Sequence, residues 1–294
     1  MLFSVIIPTY NRAKIVRETI LKILNQTFQD FEIIVIDDGS TDDTKEIVSK
    51  INSNKLFYHY KKNEERSIAR NYGADIANGR YLIFLDSDDI MLDNHLENIN
   101  NFLIKNVFVP EFIFTGYSIL NENGSKLYEF AENNIFDKAK LYYGNYIGCS
   151  AVAIKKELFK QFYFNTNRGL ILFEDWEIWL RVIYKTDLFC IPNKSIIMIN
   201  HSGRSVLNYS PLETIEKAIC LKNTLFAESE NNDVINNRRT FLMGLYSYIS
   251  LHVALTKAHK LISLKYLVKA IYINPLFIFK RRFYAILKKL CYAY

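Results

Sequence analysis

Tyr81-Leu82-Ile83-Phe84-Leu85, followed at once by Asp86-Ser87-Asp88-Asp89, decides the reading of this chain. Five apolar residues in a row, bounded by turn residues, read as a strand buried on both faces, as in a parallel sheet covered by helices. Carboxylates at the end of such a strand lie at the carboxyl edge of the sheet, where open α/β sheets bind their ligands. Clustered oxygen donors there suit a hard divalent cation. Aspartate also favours turns, so the cluster alone leaves a plain solvated acidic turn open.

Working outward, the first hundred residues alternate strand and helix patterns, the mark of an α/β layer. Phe3–Ile7 reads as the first strand, ended by Pro8, and Ala13–Asn25 as a helix with Val16, Ile20, Ile23 and Leu24 on one face. Glu32–Ile36 is the second strand and runs into Asp37-Asp38-Gly39-Ser40, after which Thr41 or Asp42 can cap a helix over Asp43–Lys50. Leu56–Tyr60 is a third strand, and a helix over Ser67–Ala77 leads through Gly79 to the acidic cluster. Beyond Asp89 the pattern loosens. Phe108–Leu120 reads as one or two strands, Asn121–Gly124 as a hairpin turn and Asn145–Ile154 as a further strand. A helix beginning at Trp176 sets Trp176, Trp179 and Ile183 on one face, and from Pro211 onward the chain reads as helices interrupted at Pro275. The expected division is 1–210 for the α/β domain and 211–294 for a helical, basic region.

The 294 residues carry a formal charge of +6, unevenly spread. Eleven Lys or Arg and no acidic residue follow Asp233, so the first 233 residues contribute −5. A basic segment interleaved with Ile, Leu, Phe and Tyr points to an anionic membrane surface rather than to nucleic acid. An ordinary basic helical cap, or a homodimer through the same helices, accounts for it as simply. The four cysteines are scattered and suggest neither a zinc knuckle nor a disulfide framework, which fits a reducing cytoplasm. No signal peptide is expected, because Phe3–Ile7 is too short for an h-region. Nor is a membrane span expected, since Tyr266–Phe279 is broken by Lys269, Asn274 and Pro275. The ten glycines never form Gly-x-Gly-x-x-Gly, which excludes a dinucleotide fingerprint, and no Gly-rich loop precedes a P-loop lysine.

Five segments together, in order and spacing, resemble the family 2 glycosyltransferases: Val5–Asn11, Val35–Asp42, Ala69–Gly73, Phe84–Asp89 and Glu174–Trp176. The resemblance covers roughly residues 1–205. It implies the GT-A fold, with a Rossmann-like, mostly parallel sheet, and inverting transfer of a sugar from a nucleotide-sugar, a UDP-sugar first among them. The acceptor class is a glycan or lipid-linked saccharide of bacterial surface polysaccharide. It further implies that Thr9 and Asp38, with Asp37, meet the base of the donor, and that Arg70 lies near the base or diphosphate. Asp86 would serve the ribose or assist the metal. Asp88 would hold Mn²⁺ or Mg²⁺, His201 would be a further protein ligand of that metal or a diphosphate contact, and Arg204 would pair with phosphate. Asp175 would be the general base.

The chemistry of these residue types agrees with those roles. A carboxylate accepts the imide N–H of a uracil, and a threonine hydroxyl serves a ring carbonyl. An inverting displacement needs one carboxylate on the acceptor side and no second nucleophilic carboxylate. On the residues alone, plainer readings stay open. Asp37 and Asp38 can initiate the next helix, Asp175 can cap the helix at Trp176, and Arg70 and His201 can be surface residues. Trp176 and Trp179 recur at helical spacing and so read as core rather than as a sugar platform. A catalytically idle binding scaffold that keeps the donor fold is the reading from another class.

Overall fold

A computed structural model describes residues 1–132, 134–201, 209–227, 233–256 and 259–291. In chain order the first elements are β1 (Phe3–Thr9), α1 (Ala13–Leu24), β2 (Phe31–Asp37), α2 (Thr44–Ser49), β3 (Leu56–Tyr60), α3 (Arg66–Ile76), β4 (Tyr81–Phe84) and β5 (Asp89–Met91). They are followed by α4 (His95–Lys105), β6 (Phe112–Asn121), β7 (Lys126–Phe130), β8 (Asn134–Ile135), α5 (Ala139–Tyr143), β9 (Val152–Lys155), α6 (Lys156–Phe159), α7 (Glu174–Val182) and β10 (Leu188–Asn200). The remainder is helical: α8 (Pro211–Ala227), α9 (Asp233–Asn236), α10 (Arg238–Leu255), α11 (Lys260–Ile273) and α12 (Arg281–Cys291).

The chain forms two compact units that interleave, where the sequence reading placed one boundary near residue 210. The first comprises Met1–Phe136, Ile147–Thr166 and Lys185–Ser202, and the second Asp137–Tyr146, Asn167–Tyr184 and Gly203–Tyr294. The second is discontinuous because α5 and α7 pack with the helices after residue 210. Trp176 stacks near Phe241, and the Trp176 indole N–H donates to the Leu141 carbonyl at 2.7 Å.

The first unit is built on one sheet in the order β3-β2-β1-β4-β9-β6-β10-β5, with β7 added to β6 and β8 to β10. The strands β3, β2, β1 and β4 pair in parallel. Every residue of β2 and β4 is buried, as continuous apolar runs covered on both faces should be. Strand β9 then runs antiparallel to β4 and to β6, and β10 runs parallel to β6. Two reversals cancel, so β10 points the same way as β1, β2 and β4. The carboxyl ends of all four strands therefore lie along one edge. Helix α3 lies close on this sheet: a Cβ at Gly73 would stand 2.5 Å from the Ile6 side chain. Arg70, three residues earlier on the same helical face, is carried down with it and is 1% exposed.

Several sequence expectations change here. Strand β1 does not stop at Pro8 but continues to Thr9. At Pro8 only β2 remains as a neighbour, because the β4 register ends at Ile6–Phe84, so the missing N–H costs no ladder bond on that side. The strand expected over Asn145–Ile154 is reduced to β9, preceded by a 3₁₀ turn at Cys149–Ala151. Gly148 is held by a close approach to the Met198 side chain. Helix α7 starts at Glu174 rather than Trp176, so Asp175 sits inside its first turn. The hairpin at Asn121–Gly124 forms as expected, with Gly124 at φ +78°. Strand β10 is not among the expected strands, because its apolar runs Leu188–Ile191 and Ile196–Ile199 are split by Pro192-Asn193-Lys194; the sheet absorbs that interruption as a register shift between Ile191 and Lys194.

In the second unit Trp176 and Trp179 are buried core residues, 2% and 0% exposed. Met243, Leu267, Ala270, Phe277 and Ile286 form the core that unites α10, α11 and α12. Pro275 does interrupt the helices, opening a 3₁₀ turn over Pro275–Phe279 that the Asn274 side chain caps at the Leu276 N–H.

Candidate nucleotide and metal site

Seven of the residues singled out in the sequence lie at the shared carboxyl edge of the sheet or on α3 beneath it. Thr9 ends β1, Asp37 ends β2 and Asp38 follows it; both carboxylates are buried. Asp37 accepts the Ser40 N–H at 2.7 Å and the Tyr58 hydroxyl at 2.6 Å. Burial and then this carboxylate hold the Tyr58 proton well above the usual phenol range. Asp38 accepts Lys61 Nζ at 2.7 Å and the Glu64 N–H at 3.0 Å on Oδ1, and the Glu65 N–H at 2.9 Å on Oδ2. Desolvation works against the Lys61 ammonium, but its bonds to Asp38 and Glu64 prevail and raise its pKa. Asp38 thus ties the β2 terminus to the 61–65 segment and Asp37 ties it to the following turn and to Tyr58 on β3, and neither opens the next helix. Asp42 does that, accepting the Thr44 N–H at 3.1 Å. The Thr9 hydroxyl is buried and has no hydrogen-bond partner.

The turn that places Asp38 depends on Gly39. Its φ is +86°, in the left-handed region, and a Cβ there would stand 2.7 Å from the Asn63 backbone nitrogen. Ser40 then meets the first strand's loop, its hydroxyl accepting the Asn11 N–H at 2.8 Å.

The acidic cluster is divided among three tasks. Asp86 accepts Arg70 Nη2 at 2.6 Å, and the Arg70 guanidinium lies 5.2 Å from the Phe164 ring centroid. Asp89 is buried and accepts the Ser150 hydroxyl at 2.5 Å, while that same hydroxyl accepts the Asp86 N–H at 3.1 Å. It is therefore a brace for the loop. Asp88 Oδ2 stands 2.5 Å from Arg12 Nη1 and 3.0 Å from His201 Nε2. Arg12 was not singled out in the sequence; the available signal was a cation directly after the Val5–Asn11 segment, at the end of the first strand.

Asp175 belongs to the second unit. Its Oδ1 accepts the Trp176 N–H at 2.7 Å from inside the first turn, and the N-cap position is held by Phe173, so Asp175 is not the helix cap that the sequence left open. Burial, with the Asp175 carboxylate as the next cause, raises the pKa of the Tyr248 phenol. Glu174 is buried and accepts the Leu172 N–H at 2.8 Å. Arg204 lies outside the described residues.

Among the described residues no group of three or more His, Cys, Asp or Glu is arranged to hold a metal ion. Asp88 and His201 supply one carboxylate oxygen and one imidazole nitrogen. That pair fits Mg²⁺ or Mn²⁺ provided diphosphate oxygens and water complete the shell, which Mg²⁺ in particular accepts.

The glycosyl transferase family 2 model matches residues 4–162, and the chain belongs to that family. It is 33% identical over 190 residues to the putative teichuronic acid biosynthesis glycosyltransferase TuaG of Bacillus subtilis, covering 63% of this chain and 73% of TuaG. Over 193 residues it is 31% identical to WfgD of Escherichia coli, a UDP-Glc:alpha-D-GlcNAc-diphosphoundecaprenol beta-1,3-glucosyltransferase, covering 65% of this chain and 73% of that one. The chain spans about a fifth of the length of three uncharacterized Rickettsia glycosyltransferases that it matches at 42–43% identity. The crystal structure of Staphylococcus aureus TarS 1–349 in complex with UDP-GlcNAc superposes with a TM-score of 0.60 over 93% of this chain and 89% of that one, at 20% identity. The shared architecture is the GT-A fold.

Proposed function

We propose that this chain transfers a sugar, with inversion, from a UDP-sugar to a glycan or lipid-linked saccharide during synthesis of a bacterial surface polysaccharide. The observation that carries the reading is the meeting of Asp88 and His201. They are 113 residues apart in sequence, and the parallel run of β4 and β10 brings them within 3.0 Å at the ligand edge. TuaG is named for putative teichuronic acid biosynthesis, WfgD for glucosyl transfer from UDP-Glc to a GlcNAc-diphosphoundecaprenol, and TarS was crystallised with UDP-GlcNAc; these support the reading.

In this reading the buried Thr9 hydroxyl is satisfied by the base, and the Asp38 carboxylate retains a lone pair for the imide N–H. Asp37 acts one step back by holding the turn. Arg70 and Asp86 form a fixed pair at the ribose and diphosphate, and Arg204 is assigned to phosphate. Asp88 and His201 hold the divalent cation, whose chemistry is to neutralise charge on the departing diphosphate. Asp175 takes the proton of the acceptor hydroxyl as that oxygen bonds to the anomeric carbon. The bond from that carbon to the diphosphate oxygen breaks, and the nucleoside diphosphate leaves with the electron pair. The basic region after Asp233 rests on the inner face of the cytoplasmic membrane.

The test is incubation with radiolabelled UDP-sugars, Mn²⁺ or Mg²⁺ and lipid-linked or soluble saccharide acceptors. Transfer or donor hydrolysis that disappears in Asp88→Asn and Asp175→Asn supports the assignment. No turnover with any donor, alongside tight UDP binding by calorimetry, would instead establish a binding scaffold.

A further inference from the structure

The basic C-terminal region has two candidate faces for a membrane, and the structure separates them. Helix α12 is basic and amphipathic, but its apolar side is consumed: Ile286 is fully buried, with Phe283, Leu287 and Leu290 packed around it. Helix α11 is apolar on two sides. Tyr266, Leu267 and Ala270 face the core, whereas Leu261, Leu264, Val268 and Tyr272 are 84%, 47%, 56% and 88% exposed. Their spacing of three, four and four residues makes one stripe along the helix. The following turn continues it with Leu276 and Phe279, 65% and 72% exposed. An apolar stripe of this length left to water marks an interaction surface.

Two observations say what covers it. Lys260, Lys265 and Lys269 flank the stripe, Lys280 and Arg281 follow it, and no carboxylate occurs after Asp233. The end of the stripe also opens on a cavity of about 400 Å³ whose lining includes two arginines, Arg238 and Arg239, with Leu242, Tyr272 and Ile273. Apposing two copies of this face would bring cations against cations. An anionic surface neutralises them, and guanidinium pairs well with phosphate. No helix among the described residues is long and apolar enough to cross a membrane, so the face lies on a bilayer rather than in it.

We infer that the outer face of α11 with the Pro275–Phe279 turn is the docking surface for an anionic phospholipid bilayer, and that the Arg238–Arg239 cavity takes a headgroup phosphate. Leu264 and Val268 enter the interfacial region while the flanking lysines stay at headgroup level. This rests on the membrane part of the proposed function and assigns it to particular residues.

The experiment is sedimentation of the full chain with phosphatidylglycerol and with phosphatidylcholine vesicles. Wild type binds the anionic vesicles selectively. Leu264→Ser/Val268→Ser lowers that affinity at least about tenfold, as expected when two buried apolar side chains are lost. Arg238→Gln/Arg239→Gln reduces the preference for anionic over zwitterionic lipid. Circular dichroism and UDP titration of each variant stay at wild-type values, which separates this surface from the nucleotide site. Absence of wild-type binding to either vesicle overturns both the inference and the membrane part of the proposed function. Selective wild-type binding unaltered by the Leu264/Val268 variant overturns only the inference, whereas a stripe-dependent dimer seen by light scattering in place of vesicle binding overturns both.

Discussion

Arg12 Nη1 stands 2.5 Å from Asp88 Oδ2, so the carboxylate assigned to a divalent cation already faces a cation of the protein's own. The two charges compete for one carboxylate. Arg12→Gln is expected to tighten Mn²⁺ binding in the absence of nucleotide by about tenfold, the scale of a single charge-assisted contact. Calorimetric titration of Mn²⁺ alone checks this, and an unchanged or weaker affinity refutes the competition.

Asp88→Asn keeps the size and one acceptor of the side chain but removes its charge. If the cation stabilises the leaving diphosphate, kcat/KM falls by on the order of 10²-fold or more, a loss of several kcal/mol in transition-state stabilisation. Steady-state transfer assays at saturating metal decide it, and the variant should unfold at nearly the wild-type temperature because Asp89, not Asp88, braces the loop.

Asp175→Asn is expected to lower kcat by roughly 10²- to 10⁴-fold, the usual scale of general-base removal, while leaving UDP affinity in place. An equal loss of both, or retained kcat, removes Asp175 from that role and leaves it as a helix-terminal acceptor for the Trp176 N–H.

Gly39→Ala places a methyl group where the Asn63 backbone stands, in a left-handed conformation. The cost is about 1–3 kcal/mol. Thermal melts report the loss of stability, and UDP titration reports the accompanying shift of Asp38, which the same turn positions.

His95 gives a pH prediction with a definite sign. It is fully buried, its Nδ1 lies 2.8 Å from the Ser195 hydroxyl, and burial lowers its pKa to about 3. The folded state keeps it neutral, while the unfolded chain takes up a proton near the ordinary value of about 6.5. The unfolded state thus binds more protons between those values, and stability falls as pH drops below about 6.5. Near pH 5 the loss approaches roughly 2 kcal/mol from this residue. Urea denaturation at pH 7 and pH 5 measures it, and His95→Gln should remove this share of the difference, leaving that of His252, whose pKa burial lowers to about 4.

His95 also shows why parts of the chain were illegible. Its partner is a hundred residues away on β10, whose two short apolar runs, Leu188–Ile191 and Ile196–Ile199, are split by Pro192-Asn193-Lys194 and do not announce one strand. Strand β5 is three residues long and exists only because β10 lies beside it. Arg12 directly precedes α1, and only the fold turns it toward Asp88.

What the sequence determined by itself was the local half of the protein. Continuous apolar runs force buried strands, helical spacing forces α1 and α3 onto them, and aspartates mark the ends of β2 and β4, so β1, β2 and β4 were readable from residues 3 to 89, and the family from those segments together with Glu174–Trp176. Tertiary structure decided what depends on contacts between distant segments. These are the pairing of His201 and Arg12 with Asp88, the division of the acidic cluster into a brace, an arginine partner and a candidate ligand, and which face of the basic helices is left to solvent. Periodicity records how a segment is buried, but the identity of the group opposite a side chain is set by strand order and by packing between segments far apart in the chain.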